Sequence, residues 1–185
     1  MSFFSKLITV TPNRKGKKEF ERARRAELLD RYEEAKEHFE TAAAAYDEYF
    51  AELQTKGKDA RPSELVMAGI SYTRLNKSEA ALKVLDECIR RTEIPDAFLH
   101  AGFAAAQLGL LDRTIQYWTD YPQWVEQKLI HAELKKQLRQ LRGPTPDLGA
   151  ACDTLILTIY RQDKENRHQA SIQHRGGVYP PNRGY

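Results

Sequence analysis

The chain has 185 residues, of which 41% are hydrophobic and 30% are charged, and its formal net charge is +3. These values are ordinary for one folded domain and argue against a largely disordered chain. No apolar run approaches the roughly 18 residues of a membrane-spanning helix, and two cysteines are too few for a disulfide framework. The first residues also lack the apolar core and the cleavage site of a signal peptide. We therefore expect a cytoplasmic protein in a reducing compartment.

Charge is distributed unevenly along the chain. Residues 1–25 contain eight Lys or Arg against two acidic residues, whereas residues 26–60 contain four against ten. Residues 161–185 are basic again, with five against two. This asymmetry indicates electrostatic docking to some partner, although its sign does not identify the partner.

Residues 1–15 are predicted to form an arm that precedes the folded domain. One side of a short helix there would be apolar, with Phe3, Phe4, Leu7 and Ile8. Pro12 is expected to end that helix. We expect this docking arm to pack on the protein itself or on a partner; the alternative is peripheral contact with a membrane. In the alternative, a basic patch would lie near lipid phosphates, and its residues are Arg14, Lys15, Lys17 and Lys18.

Helical spacing of apolar residues begins at about residue 17 and continues, with one break, to about residue 54. The first predicted helix covers residues 17–29 and the second covers 32–54. The second is unusually long and carries an aromatic ridge of Tyr46, Tyr49 and Phe50. We expect the ridge either to cover the end of the domain or the arm, or to contact a partner.

Residues 65–89 predict two short helices that fold back on each other around a polar break at residues 76–78. Apolar or small residues recur at steps of three and four on both sides of the break, so each helix has one buried face. Gly69 and Ala81 are small enough for the two helices to approach closely. Leu85 would fill the space beside that contact.

This spacing resembles the tetratricopeptide repeat, a 34-residue helix-turn-helix unit that stacks into a right-handed solenoid. It occurs three times over residues 16–122, at Ala23, Ala26, Ala35, Phe39 and Ala42, at Gly69, Tyr72, Ala81, Leu85 and Cys88, and at Gly102, Ala105, Thr114, Trp118 and Tyr121. The resemblance implies an all-α, right-handed helix-turn-helix solenoid. Together with the helices that follow the repeats, the predicted folded domain spans residues 16–165.

The resemblance also implies a concave groove lined by the first helix of each unit. The groove positions of the family correspond to Phe20, Arg24 and Glu27 in the first unit, and to Val66, Ile70, Thr73, Arg74, Leu99, Phe103, Ala106 and Gln107 in the next two. The Lys/Asn/Arg clamp with which some members hold a C-terminal carboxylate is not present there. The apolar middle of the set favours an apolar strand or amphipathic helix, bound mainly by desolvation.

After residue 122 the repeat spacing ends. Residues 123–141 and 146–165 predict two further amphipathic helices, the second of which would begin with Thr145 as N-cap and Pro146 at the first helical position. A stacked array leaves its last apolar face open, so we expect this pair to cap it.

The remaining residues, 166–185, predict an extended basic tail, because they contain glycines, prolines and several Arg and His residues. Within the tail, Tyr179, Pro180 and Pro181 suit a polyproline II helix that binds an aromatic groove. Basic segments therefore flank the predicted domain at both ends.

The sequence contains no pattern typical of an active site. Its five histidines lack metal-ligand spacing, and neither a glycine-rich phosphate loop nor a Gly-x-Ser-x-Gly turn is present. We expect no enzymatic activity, no metal and no cofactor, and a structural role for His100. The predicted function is a non-catalytic scaffold, adaptor or accessory subunit of a multi-subunit protein assembly.

Two alternatives remain open at this point. A chaperone for secretion or assembly would bind its client transiently and hold no permanent place in a complex. A nucleic-acid adaptor would use the basic segments, and its affinity would fall steeply with salt.

Overall fold

The computed structural model describes residues 10–175, with side chains described for residues 10–169. This part of the chain forms eight α-helices and no strand, so the all-α prediction is confirmed. Their bounds, in chain order, are α1 Pro12–Leu28, α2 Tyr32–Thr55, α3 Pro62–Arg74, α4 Ser78–Arg91, α5 Pro95–Gln107, α6 Leu111–Thr119, α7 Lys128–Leu141 and α8 Leu148–Arg175.

The first six helices pair in sequence order as three hairpins, α1 with α2, α3 with α4 and α5 with α6. The first helices also contact each other, α1 with α3 and α3 with α5, so that they form one layer. Each hairpin turn contains a residue with a left-handed backbone: Asp30 with φ 58°, Asn76 with φ 55° and Gly109 with φ 74°. This conformation ends a helix and reverses the chain direction.

The three turns share one hydrogen-bond pattern. In each, an N–H group just beyond the helix reaches a carbonyl five residues back, and the pairs are Arg31 to Ala26 at 3.0 Å, Lys77 to Tyr72 at 2.9 Å and Leu110 to Ala105 at 2.9 Å. The three acceptors are the second residues of the three sequence units. The repeated spacing in the sequence therefore coincides with a repeated backbone geometry.

In two of the hairpins, the close contact between the helices joins residues that lie 16 positions apart in the sequence. A Cβ atom added at Gly69 would lie 2.4 Å from Cγ of Leu85, and one added at Gly102 would lie 2.0 Å from Nε1 of Trp118. In both hairpins a large side chain of the second helix rests on the bare backbone of the first. The absence of a side chain at both glycines is therefore what lets the helices approach.

Two clusters of buried apolar residues share helix α5. The first lies between α1, α2, α3, α4 and α5 and is centred on residues such as Phe39, Tyr46 and Leu85. The second lies between α5, α6, α7 and α8 and includes Phe103, Trp118 and Leu155. Because α5 contributes to both, it joins the first two hairpins to the C-terminal helices.

The long second helix is present, and its aromatic ridge packs against neighbouring helices. Tyr46 is fully buried, and its ring would lie 3.1 Å from a Cβ atom at Gly16 of α1. Tyr49 and Phe50 pack against the first cluster, and the Tyr49 hydroxyl donates to Glu64 at 2.7 Å. The ridge therefore packs between α1 and α3, where it joins the first hairpin to the second.

The predicted boundary of the N-terminal arm is wrong. Helix α1 begins at Pro12, so residues 12–15 belong to the domain and carry Arg14 and Lys15 on a helix. Proline opens this helix because its fixed φ suits the first helical position and its missing N–H would have no helical partner there. The docking arm residues Phe3, Phe4, Leu7 and Ile8 lie outside the described residues.

The C-terminal boundaries also differ from the prediction. Helix α7 begins at Lys128 rather than at residue 123, and Trp124 is 68% exposed in the preceding turn. Asp147 Oδ1, rather than Thr145, accepts the Ala150 N–H at the start of α8, at 2.9 Å.

The predicted extended tail is helical in its first half, because α8 continues to Arg175. No glycine or proline interrupts residues 150–175. Tyr179, Pro180 and Pro181 lie outside the described residues.

Candidate protein-binding face

Helix α8 lies against the layer of first helices. It contacts α5 and α1 as well as its hairpin partner α7. We call the surface that it covers the α8-binding face, which is formed by Arg24 and Glu27 of α1, Arg74 of α3, and Leu99 and Phe103 of α5, with the exposed Gln107 at its edge. All six are positions that the family resemblance assigned to the groove.

One half of the α8-binding face is apolar. Leu99 and Phe103 are buried in one cluster with Leu155 and Ile159 of α8. Removal of this apolar surface from water favours the docking of α8. A small cavity of about 160 Å³ remains beside this contact, between Phe103 and Gln107 on one side and Cys152 on the other.

The other half contains a buried charge cluster. Oε1 of Glu27 accepts hydrogen bonds from Nε of Arg74 at 2.7 Å and from the Tyr160 hydroxyl at 3.0 Å. Arg24 pairs with the second Glu27 oxygen and also with Asp163 of α8. The Arg74 guanidinium lies 5.9 Å from the centre of the Tyr160 ring. The cluster therefore joins α1, α3 and α8 across more than 130 residues of sequence.

The surroundings of the charge cluster shift the pKa values of its members. Burial alone would raise the pKa of Glu27. The positive charges of Arg74 and Arg24 and the hydrogen bonds from Arg74 and Tyr160 lower it by more than burial raises it, so the pKa of Glu27 lies below its ordinary value. Burial, with the Glu27 charge and hydrogen bond, raises the pKa of Tyr160 to about 12. Glu27 is therefore an anion and Tyr160 a neutral donor at neutral pH.

Exposed and half-buried contacts extend the docking of α8 beyond the cluster. Lys164 Nζ lies 3.0 Å from Asp30 Oδ2, and the Tyr32 and Tyr160 rings are 6.0 Å apart. On its other side, Gln162 Oε1 accepts the Leu129 N–H at 2.9 Å and so satisfies a free amide in the first turn of α7. Helix α8 is thus held from two sides.

The residues predicted to line the groove have different environments. Val66, Ile70 and Thr73 are buried in the array itself, and Arg74, Leu99 and Phe103 lie beneath α8. Gln107 is exposed and donates to the Thr73 carbonyl and to Asn76. The expected open groove is therefore not present in this conformation, because α8 covers part of it and the packing of the first five helices buries most of the rest.

Sequence reasoning missed three residues of α8 that complete the site. Tyr160, Asp163 and Lys164 are the polar residues with which α8 meets α1 and α3. Their spacing of three and four places them on one side of the helix. That polar side within an otherwise apolar helix was the available signal.

His100 is buried beside the charge cluster. Its ring stacks on Phe103 with centroids 5.7 Å apart, and Nδ1 makes no hydrogen bond to the described part of the protein. Burial, together with the Arg74 and Arg24 charges, holds the pKa of His100 well below its usual value. Its environment therefore favours the neutral form.

Replacing His100 with leucine should reduce the loss of stability in mild acid. In the wild type, the unfolded chain takes up a proton below the ordinary pKa of 6.5 while the folded chain does not. The free energy of unfolding should therefore fall as pH decreases, by about 1.4 kcal/mol per unit below that value. Urea unfolding at pH 7.5 and 5.5 measures this difference. A slope in His100→Leu equal to that of the wild type would contradict the assignment.

The basic patch is exposed on α1, where Arg14, Lys15, Lys17 and Lys18 all reach the surface. Two of them, Arg14 and Lys17, also line a cavity of about 260 Å³ next to Glu64. The Glu64 carboxylate already accepts hydrogen bonds from Asn13, Tyr49 and Arg61. The Glu64 carboxylate therefore places a negative charge beside this cavity, where the N-termini of α1 and α3 meet.

Within the described residues, no group of three or more His, Cys, Asp or Glu side chains is arranged to hold a metal ion. None of the helices in residues 10–175 combines the length and apolar character that a membrane span needs. No family model, curated protein or solved structure matches the chain.

Proposed function

We propose that this chain is a non-catalytic protein-interaction module, built as a tetratricopeptide-type right-handed solenoid, that binds an amphipathic helix on the layer of α1, α3 and α5. The recurring turns and the close contacts at an offset of 16 residues support the repeat assignment. Such arrays stack identical units and expose one continuous surface for partners.

The observation that carries the proposal is the position of α8. An amphipathic helix lies on the face, with its aliphatic residues against Leu99 and Phe103 and its polar residues against Arg24, Glu27 and Arg74. Helix-in-groove recognition uses this combination of apolar anchors and a few directional contacts. The face is therefore suited in shape and chemistry to a helical ligand.

As a scaffold or accessory subunit, the protein would hold such a helix permanently within a larger assembly. A chaperone would use the same face with faster release of its client. The basic patch offers a second surface, suited to an acidic protein or to a nucleic acid. Binding to a nucleic acid would weaken steeply with salt, because phosphate contacts release counterions.

The proposal predicts that the face binds an α8 peptide in trans once the intramolecular copy is loosened. In the full-length Asp163→Lys variant, a lysine replaces the carboxylate that pairs with Arg24. A fluorescent peptide of residues 148–169 should then bind saturably with one site per chain. A peptide with Leu155→Ser and Ile159→Ser should bind about a hundredfold more weakly, because two buried aliphatic side chains are lost.

Fluorescence anisotropy measures both affinities, and circular dichroism checks that the variant keeps its helices. A helical variant to which neither peptide binds would refute a helix-binding role for this face. Equal binding of the two peptides would also refute it, since the apolar half would then contribute nothing.

A further inference from the structure

We infer that α8 is an internal competitor for the α8-binding face, and that the external partner is a helix repeating the side-chain pattern of α8. That pattern begins with two aliphatic residues four positions apart, Leu155 and Ile159, and a tyrosine directly after the second, Tyr160. A carboxylate follows three positions later, at Asp163, and a basic residue comes directly after it, at Lys164. The inference rests on the proposed function and adds to it the class of partner and its regulation.

The buried charges of the face define the first requirement. Arg24 and Arg74 carry two positive charges and Glu27 one negative charge, so α1 and α3 together present a net charge of +1 beneath the helix. Asp163 neutralises it in the closed chain. A buried charge without a counterion is strongly unfavourable. Any helix that replaces α8 must therefore bring a carboxylate to the same place.

The second requirement is a hydroxyl donor next to the apolar contact. Tyr160 donates to Glu27, while its ring lies under the Arg74 guanidinium and beside Tyr32. A phenol satisfies the carboxylate without adding charge and still buries an apolar ring. Phenylalanine at this position would keep the packing and lose the hydrogen bond.

The third requirement fixes the register of the helix. Asp30 lies at the edge of the face and pairs with Lys164, the residue directly after Asp163. A helix with an acidic residue opposite Arg24 and a basic residue at the next position, opposite Asp30, fits the face in one alignment only. Exposed pairs of this kind contribute more to specificity than to affinity.

Release of α8 would leave the first buried cluster intact, because that cluster contains no residue of α8. It would open the second cluster, which contains Ala151, Leu155 and Ile159, so a helix that replaces α8 must supply equivalent apolar residues. The link between α7 and α8 is a non-helical segment that includes Gly143, Pro144 and Pro146. A partner must therefore displace α8 from the face. Its apparent affinity is the intrinsic affinity multiplied by the fraction of chains in which α8 has left the face.

The inference is tested with full-length protein and the peptide of residues 148–169. Asp163→Lys protein should bind this peptide at least about tenfold more tightly than wild-type protein, because α8 competes only in the wild type. A matched peptide with the exchange Asp163→Lys and Lys164→Asp has the same composition. It should bind the opened protein at least about tenfold more weakly than the native peptide.

Cysteine alkylation measures opening without any ligand. Cys152 lies on α8 beside the face, whereas Cys88 is buried within the first cluster. In Asp163→Lys protein, Cys152 should react at least about tenfold faster than in the wild type while Cys88 is unchanged. If that variant unfolds, Tyr160→Phe provides a milder change, and Cys152 alone should still react several-fold faster.

The possible outcomes separate the two ideas. If the peptide binds wild-type and opened proteins equally, the helix-binding function stands and competition by α8 is overturned. If it binds neither, the proposed function itself fails. A wild-type dimer in sedimentation that dissociates in Asp163→Lys would show that α8 occupies a second copy, and would overturn an internal competitor.

Discussion

Gly102→Ala is expected to destabilise the protein by about 3 kcal/mol, at the upper end of the range for overpacked cores. The added Cβ would lie 2.0 Å from Nε1 and 2.2 Å from Cδ1 of Trp118. The indole is fully buried, and its N–H donates to the Leu99 carbonyl at 3.1 Å, so it cannot move aside without losing that bond. Urea unfolding followed by circular dichroism measures the change.

Gly149→Ala is the matched control, since it makes the same chemical change in another helix. Its Cβ would contact only Asp147 Oδ1, at 3.4 Å. Alanine has a higher helix propensity than glycine, so this variant should be neutral or more stable by up to about 1 kcal/mol. Similar stability of the two variants would mean that α5 and α6 are not in the close contact described.

Glu27→Gln should reduce stability by about 3 to 5 kcal/mol, the cost of breaking a buried ion pair from one side. The amide keeps the size of the side chain but leaves Arg24 and Arg74 with one fewer negative charge between them. Glu34→Gln is the control, because Glu34 pairs with Arg31 at 3.4 Å in an exposed position. That change should stay within about 0.5 kcal/mol.

The same variant should change the response to acid. The folded pKa of Glu27 lies below its ordinary value of 4.5. Its ionised form therefore stabilises the fold above that value, and this contribution is lost as pH falls through the folded pKa. Unfolding free energies at pH 7 and pH 3 should thus differ less in Glu27→Gln than in the wild type. An unchanged difference would show that Glu27 is not the anion of the cluster.

The hairpins were predictable because the signals that define them are local. Gly69 and Leu85, or Gly102 and Trp118, are 16 residues apart, and the turn between them has its own polar or glycine signal. Helix periodicity and turn chemistry both act over such distances. The start of α1 was misjudged because proline can either end a helix or open one, and the choice depends on the residues that follow.

The position of α8 was not predictable from the sequence. Its apolar side suits the end of the array as well as the face of α1, α3 and α5, and hydrophobic burial has no direction of its own. The contacts that distinguish the two arrangements join Arg24 to Asp163 and Glu27 to Tyr160, over 139 and 133 residues. Charges and hydroxyls are common on helices, so a single sequence does not reveal which of them pair.

Because α8 follows α1, α3 and α5 in the sequence, it is synthesised after the helices that form the α8-binding face. At 5–20 residues per second, a ribosome needs about 7 to 28 s to add the 139 residues that separate Arg24 from Asp163. The first two hairpins can fold during this interval, since their contacts are local. On every new chain, the part of the α8-binding face that belongs to α1 and α3 is therefore synthesised before α8 exists.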